Sequence, residues 1–142
     1  MPGPASHPTV AILQVQQILH GARLRGLDTA SILRRAGIAP ALIDAPLSRV
    51  TQGQYAALIL LLRRLLRDEL WGLCSRPLKP GSFAQGCRLL MGARTLGEAL
   101  RTGLPYYHLL IDDFAPRLMV DGGHAEVRLV VRPRRDPALG FA

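Results

Sequence analysis

The chain has 142 residues, 49% of them hydrophobic and 20% charged, a balance that suits one compact domain with its own core and excludes a disordered chain. Its formal charge of +8 comes almost wholly from arginine, Lys79 being the sole lysine, and this raises the prospect of an anionic or nucleic-acid partner. No apolar run reaches the roughly 18 residues of a membrane span, the opening "MPGPASHP" is not a secretory signal, and Cys74 and Cys87 fit neither a disulfide framework nor metal-ligand spacing. A cytoplasmic protein with reduced, core or half-buried thiols is expected.

In chain order, "PTVAILQVQQILHGARLRG" reads as a first helix, with Thr9 as a cap, Val10, Leu13, Gln17, Ile18 and Leu24 on a helical period, and Gly26 as a stop. "DTASILRRAG" reads as a short helix with Asp28 as N-cap, Gly37 as C-cap and an apolar face of Ile32, Leu33 and Ala36. Arg34 and Arg35 at its end complement the helix dipole. "APALIDAP" gives one more helical turn before Pro46.

"SRVTQGQYAALILLLRRLLRDELWGL" carries the strongest helical period, with Ser48 or Thr51 as cap. Through its middle it is apolar nearly all round, which predicts a helix buried on most sides, the spine of the core. "SRPLKPGS" breaks the pattern. "FAQGCRLLMGA" returns to helix, with Phe83, Cys87, Leu90 and Met91 along one face. Thr95 and Glu98 stand at capping-box spacing and open a helix that runs through Leu110. Pro105 lies inside it, lacks an N–H and predicts a kink or restart.

After Phe114 the period changes to two. "FAPRLMVD" and "HAEVRLVVR" alternate apolar and polar around "DGG", Asp121 to Gly123, a hairpin signature. Leu118 and Val120 are assigned to one face, and Val127, Leu129 and Val131 to another. The fold class is therefore α+β: a mostly helical N-terminal part followed by an antiparallel β-hairpin. A hairpin by itself is marginal, so the chain is expected to stop inside a larger domain.

The sequence holds no G-x-S-x-G, P-loop, G-x-G-x-x-G or H-E-x-x-H motif, and His7, His20, His108 and His124 are not at metal-ligand spacing. No enzyme activity, metal or cofactor is expected. Tyr106, Tyr107 and His108 are consecutive, and consecutive helical residues point about 100° apart, so they cannot share one site. The favoured reading is one inward tyrosine, Tyr107 with Leu100, Leu104 and Leu110 or Ile111, and two flanking residues. The functional alternative is that a phenol or imidazole among them lines a small-molecule pocket, which is mostly apolar with a few convergent polar groups. Asp112 and Asp113 are expected to turn the chain into the hairpin. The arginines are spread over many segments; only Arg132 to Arg135 forms a dense run, and it reads as a solvated tail. With aromatic residues at 5%, little is available for a single-strand groove.

The order of "LRRAGIAPALIDAPLSRVTQGQYAAL", "WGLCSRPLKPGSFAQGCRLLMGARTLGEAL", "YYHLLIDD" and a strand pair resembles the N-terminal effector domain of AraC-type transcription regulators. The subgroup it resembles is the arabinose-binding-like one that includes ornithine-utilisation regulators. The pieces carrying the likeness are Ala36-Gly37-Ile38, Arg49-Val50, Gly72-Leu73, Pro80-Gly81-Ser82-Phe83 and Thr95-Leu96-Gly97-Glu98-Ala99-Leu100. The Gly103-Leu104-Pro105 break departs from the family's usual uninterrupted helix.

The resemblance implies a ligand-sensing and self-association domain. Residues 1–9 would be a flexible tail, 10–132 the effector-binding domain, truncated, and 133–142 a polar exit segment towards a C-terminal part. Family members carry there a helix-turn-helix domain, which this chain lacks, so DNA would be contacted only through that missing domain. The expected partners are a small-molecule effector and a second copy of the chain, with no membrane. The ligand-binding candidates are Phe83, Tyr106, Tyr107 and His108. The alternative function is a stand-alone basic nucleic-acid-binding module.

Overall fold

The computed structural model describes residues 8–132. Residues 1–7 of the expected tail and the whole expected exit segment, 133–142, lie outside the described residues. The architecture is α+β, a mostly helical part with one short strand pair first and an antiparallel hairpin last. The chain divides into two compact units between Leu73 and Cys74.

In the first unit, strand β1 (Pro8–Ala11) pairs antiparallel with β2 (Arg49–Thr51), placing Val10 opposite Val50. Strands of four and three residues are too short to display an alternation of two, and the sequence reading missed both. Helices α1 (Ile12–Ile18) and α2 (His20–Leu24) follow, joined through Leu19. The N-cap of α1 is Ala11, not Thr9, and its side chain makes no capping bond. The Ser48 carbonyl instead accepts the Ile12 N–H at 3.0 Å.

The buried stripe of α1–α2 is Ile12, Val15, Leu19 and Ala22, joined by Ile18, whereas Leu13 and Leu24 are exposed. This corrects the predicted face. Apolar residues occupy both sides of this segment, so period alone selects neither.

Helix α3 (Thr29–Arg35) begins as expected, the Asp28 carboxylate accepting the Ser31 N–H at 3.1 Å. Ile32, Leu33 and Ala36 are all buried. Gly37, at φ +75°, takes the chain out of the helix in the left-handed conformation that glycine adopts without penalty. Pro40–Asp44 forms a 3-10 turn where one helical turn was predicted.

Helix α4 (Gln52–Leu66) is fixed at its start by a full capping box. The Gln54 N–H donates to the Thr51 hydroxyl, and the Thr51 N–H donates to the Gln54 side-chain oxygen. Leu58, Leu62 and Leu66 are buried at i, i+4 and i+8, but Ala56, Ala57 and Leu60 face solvent. The expectation of burial on most sides fails. One face of α4 carries the core, and the apolar residues on the other face are left exposed.

The chain leaves α4 through a left-handed Arg67 and reaches Asp68, which is fully buried. The Asp68 carboxylate accepts the backbone N–H groups of Leu70 at 2.9 Å and Gly72 at 2.8 Å, and Arg25 approaches it at 3.8 Å. The carboxylate thus folds the turn that presents Trp71, whose indole N–H reaches the Ile59 carbonyl.

In the second unit, α5 (Ser82–Leu90) packs on α6 (Leu96–Leu110). The buried α5 residue at this contact is Gly86, while Phe83, Cys87 and Met91 from the predicted apolar face are exposed. Leu90 is half-buried. The α6 side of this contact is Gly103, Tyr106 and Tyr107. A Cβ on Gly86 would stand 3.0 Å from the Tyr107 hydroxyl oxygen, and one on Gly103 would stand 3.1 Å from a Leu90 methyl. Two glycines let the helices approach.

At the start of α6 the Thr95 hydroxyl accepts the Glu98 N–H at 3.1 Å, but Glu98 returns its carboxylate to the Arg94 N–H. The reciprocal bond is displaced by one residue from a strict capping box. The helix runs unbroken through Pro105, so the predicted restart does not occur.

Strands β3 (Phe114–Asp121) and β4 (His124–Val131) form the hairpin, closed by Gly122 and Gly123 at φ +51° and +86°. Positive φ at both positions is what a two-residue turn of the right twist needs. The register sets Leu118 opposite Val127, Pro116 opposite Leu129 and Val120 opposite Ala125. Residues directly opposite share a face, so Leu118, Val120, Val127, Leu129 and Val131 all lie on the same side, which corrects the two-face assignment.

Asp112 and Asp113 anchor the entry to this hairpin. Asp113 accepts the Ser75 N–H and hydroxyl, the latter at 2.8 Å, and Asp112 pairs with Arg76 at 3.1 Å.

Candidate functional site

Helix α6 has two working faces. Gly103, Tyr106 and Tyr107 turn to α5; Leu100, Leu104 and His108, spaced four apart, turn to β3. Between α6 and the hairpin lies a cleft of about 330 Å³. Its helix wall is Leu100, Arg101, Leu104, Pro105 and His108. Its hairpin wall is Ala115, Pro116, Arg117 and Leu118, with Arg132 at the open end.

The polar geometry is set by two contacts. The Arg132 backbone N–H donates to the Asp113 carbonyl at 2.8 Å, which closes the open end of the hairpin and fixes where its side chain starts. The Arg132 guanidinium then lies 3.1 Å from His108 Nε2. A guanidinium can only donate, so the imidazole accepts at Nε2 and carries its proton on Nδ1 in this arrangement.

Of the four candidate ligand residues, the structure brings His108 alone to the cleft. Tyr106 donates its hydroxyl to the Ser82 carbonyl at 2.8 Å, a clamp between α6 and the first residue of α5. Tyr107 packs edge-on against Tyr106, ring centres 5.3 Å apart, instead of lying with Leu100 and Leu104. Phe83 is 63% exposed on α5.

Sequence reading singled out none of the three arginines on the cleft wall for a site. The i, i+4 pairing of Leu100–Leu104 and Arg101–Pro105 with His108 was a usable signal, because it marks one stripe of one helix. Among the described residues no cluster of His, Cys, Asp and Glu is grouped to hold a metal ion, and no described helix is long and apolar enough to cross a membrane. Of the dense run Arg132–Arg135, only Arg132 is among the described residues.

A small, mainly apolar cleft with a few polar groups is the form of a small-molecule site. Comparison with known families decides what kind of domain holds it: the model of the arabinose-binding N-terminal domain of AraC transcription regulators matches residues 26–142. The chain belongs to this family.

No curated protein and no solved structure matches the chain. An AraC-family arabinose-binding domain is a ligand-binding regulatory domain, and the matched span takes in α6, the hairpin and the whole cleft between them. Of the elements given above, β1, α1 and α2 precede the matched residues.

Proposed function

We propose that this chain is the ligand-sensing and self-association domain of a cytoplasmic AraC-type regulator, with residues 10–132 as the domain and the cleft between α6 and β3 as its effector site. DNA is read by a helix-turn-helix domain of the full-length regulator. The order of "PGSF", "TLGEAL" and "YYHLLIDD" favours the ornithine-utilisation-regulator-like subgroup.

The observation that carries this reading is that one cleft touches two elements at once, His108 from the helix and Arg132 from the end of the hairpin. A ligand bound there contacts both walls. It therefore favours one relative pose of helix and hairpin over another, and it acts only through that difference in affinity. Self-association is supported by the hairpin itself, a sheet of two strands whose outer edges are unpaired among the described residues.

The test is a thermal-shift screen of the chain against small metabolites, with Leu104→Trp as a variant that fills the cleft. A ligand that binds only the native state at 100 times its Kd raises stability by about 2.7 kcal/mol. Leu104→Trp is expected to abolish that rise while the protein stays folded. A ligand whose effect survives Leu104→Trp places the effector elsewhere. Sedimentation equilibrium checks self-association, and a strictly monomeric chain at high concentration removes that part of the reading.

A further inference from the structure

We infer that the cleft takes a small acidic molecule, a carboxylate on an apolar body, with the carboxylate held by Arg117 and Arg132. This rests on the cleft being the effector site and goes further by naming the chemistry of the ligand.

The charge around the cleft is one-sided. Arg101, Arg117 and Arg132 line it, and no Asp or Glu is among the described residues of its walls. None of the three has a carboxylate partner within ion-pair distance among the described residues. His108 accepts a hydrogen bond from Arg132 and orients that guanidinium, but a neutral acceptor leaves its charge uncompensated. Arg117 stands directly opposite Arg128 in the hairpin register, an unfavourable like-charge pair. Arg128 is satisfied by Glu126 at 2.9 Å, which leaves Arg117 as the member of the pair without an acid. An anion entering the cleft relieves that imbalance, and the planar fork of arginine matches a carboxylate with two parallel bonds.

The remaining lining sets the rest of the ligand. Leu100, Leu104, Pro105, Ala115, Pro116 and Leu118 are apolar, and His108 is the one neutral polar side chain among the described residues of the wall. A free sugar presents hydroxyls all round its ring and needs side-chain donors and acceptors to replace water. This wall has no Asn, Gln, Ser, Thr, Asp or Glu to offer. A volume of about 330 Å³ is at the small end for ligand sites, which restricts the body to a short chain or a single ring.

The experiment is an NMR titration of the 142-residue chain with hexanoate, hexanamide and L-arabinose at constant ionic strength, reading the amide signals of Leu104, His108 and Leu118. Hexanamide has the shape of hexanoate without its charge. Hexanoate is expected to move these signals with an affinity at least about tenfold above hexanamide. Arg117→Gln and Arg132→Gln are each expected to weaken hexanoate by about tenfold and leave hexanamide unchanged. Arg128→Gln, outside the cleft wall, is expected to change hexanoate by less than about twofold.

Equal binding of hexanoate and hexanamide, or binding of arabinose at these signals, overturns the acidic ligand and leaves the cleft standing as the effector site. Hexanoate shifts confined to signals outside α6 and β3, or no shift at all, also overturn it. Whether the effector uses the cleft is then decided separately by the Leu104→Trp result.

Discussion

Gly21 and Gly72 meet backbone to backbone. A Cβ added to Gly21 would lie 2.1 Å from the Trp71 carbonyl oxygen and 2.6 Å from the Gly72 Cα. Neither neighbour is a side chain that can swing away, so Gly21→Ala must push the Asp68–Gly72 turn off α2. The expected loss is about 3 kcal/mol in denaturant unfolding. Gly26→Ala meets nothing within 4 Å and carries only the strain of φ +68°, so it should cost about 1 kcal/mol. Equal losses at the two positions would show that the close approach does not hold the turn.

The same turn depends on Asp68. Asp68→Ala strips the Leu70 and Gly72 N–H groups of their acceptor and is expected to cost about 3 kcal/mol, with Asp68→Asn costing less because one side-chain oxygen remains. Chemical denaturation of the two variants side by side checks the order.

Leucines two positions apart on α4 separate core from surface. Leu62 is fully buried and Leu60 is 52% exposed. Leu62→Ala is expected to cost about 2–5 kcal/mol and Leu60→Ala under about 1 kcal/mol, read from urea midpoints. A helix buried on most sides would make the two losses alike.

The glycines between α5 and α6 should respond oppositely. A Cβ on Gly103 meets only the methyl ends of Leu90, which can rotate, and alanine is the better helix former by about 1 kcal/mol. Gly103→Ala is therefore expected to be neutral or stabilising. A Cβ on Gly86 meets the rings of Tyr106 and Tyr107, and Tyr106 is tethered to Ser82, so Gly86→Ala should destabilise by about 1–3 kcal/mol. Differential scanning calorimetry distinguishes the signs.

Pro105 offers no N–H to the Arg101 carbonyl one turn back, although the helix continues through it. Pro105 is exposed, so Pro105→Ala loses little packing. It should raise stability by about 1–3 kcal/mol in the same calorimetric measurement.

What could be read from the sequence depended on how local its cause is. Asp28 and Thr95 were identified as caps, and Thr51 as one of two candidates with Ser48, because a cap is made by a side chain with an N–H three residues on. The hairpin was legible because its alternation and its glycines are also local. The face of α1–α2 was not, because Leu13 and Leu24 are as apolar as Val15 and Leu19, and only packing selects between them. The cleft was legible only in part. His108 lay on a visible helical stripe, but its neighbour Arg132 arrives from 24 residues further along the chain. Tyr106 and Tyr107 face α5 because Gly86 leaves room for them there, and no periodicity on α6 contains that information.

The two-glycine turn governs something far from itself. Eight residues run out along β3, two turn, and eight return along β4 before Arg132 reaches His108. At about 3.3 Å per residue the turn lies roughly 25 Å from that contact. One residue inserted between Gly122 and Gly123 would slip the register and swing Arg132 to the opposite side of the ribbon. The turn is therefore a length gauge for the binding cleft, and relatives that differ there by a single residue would present a differently charged opening with every cleft residue unchanged.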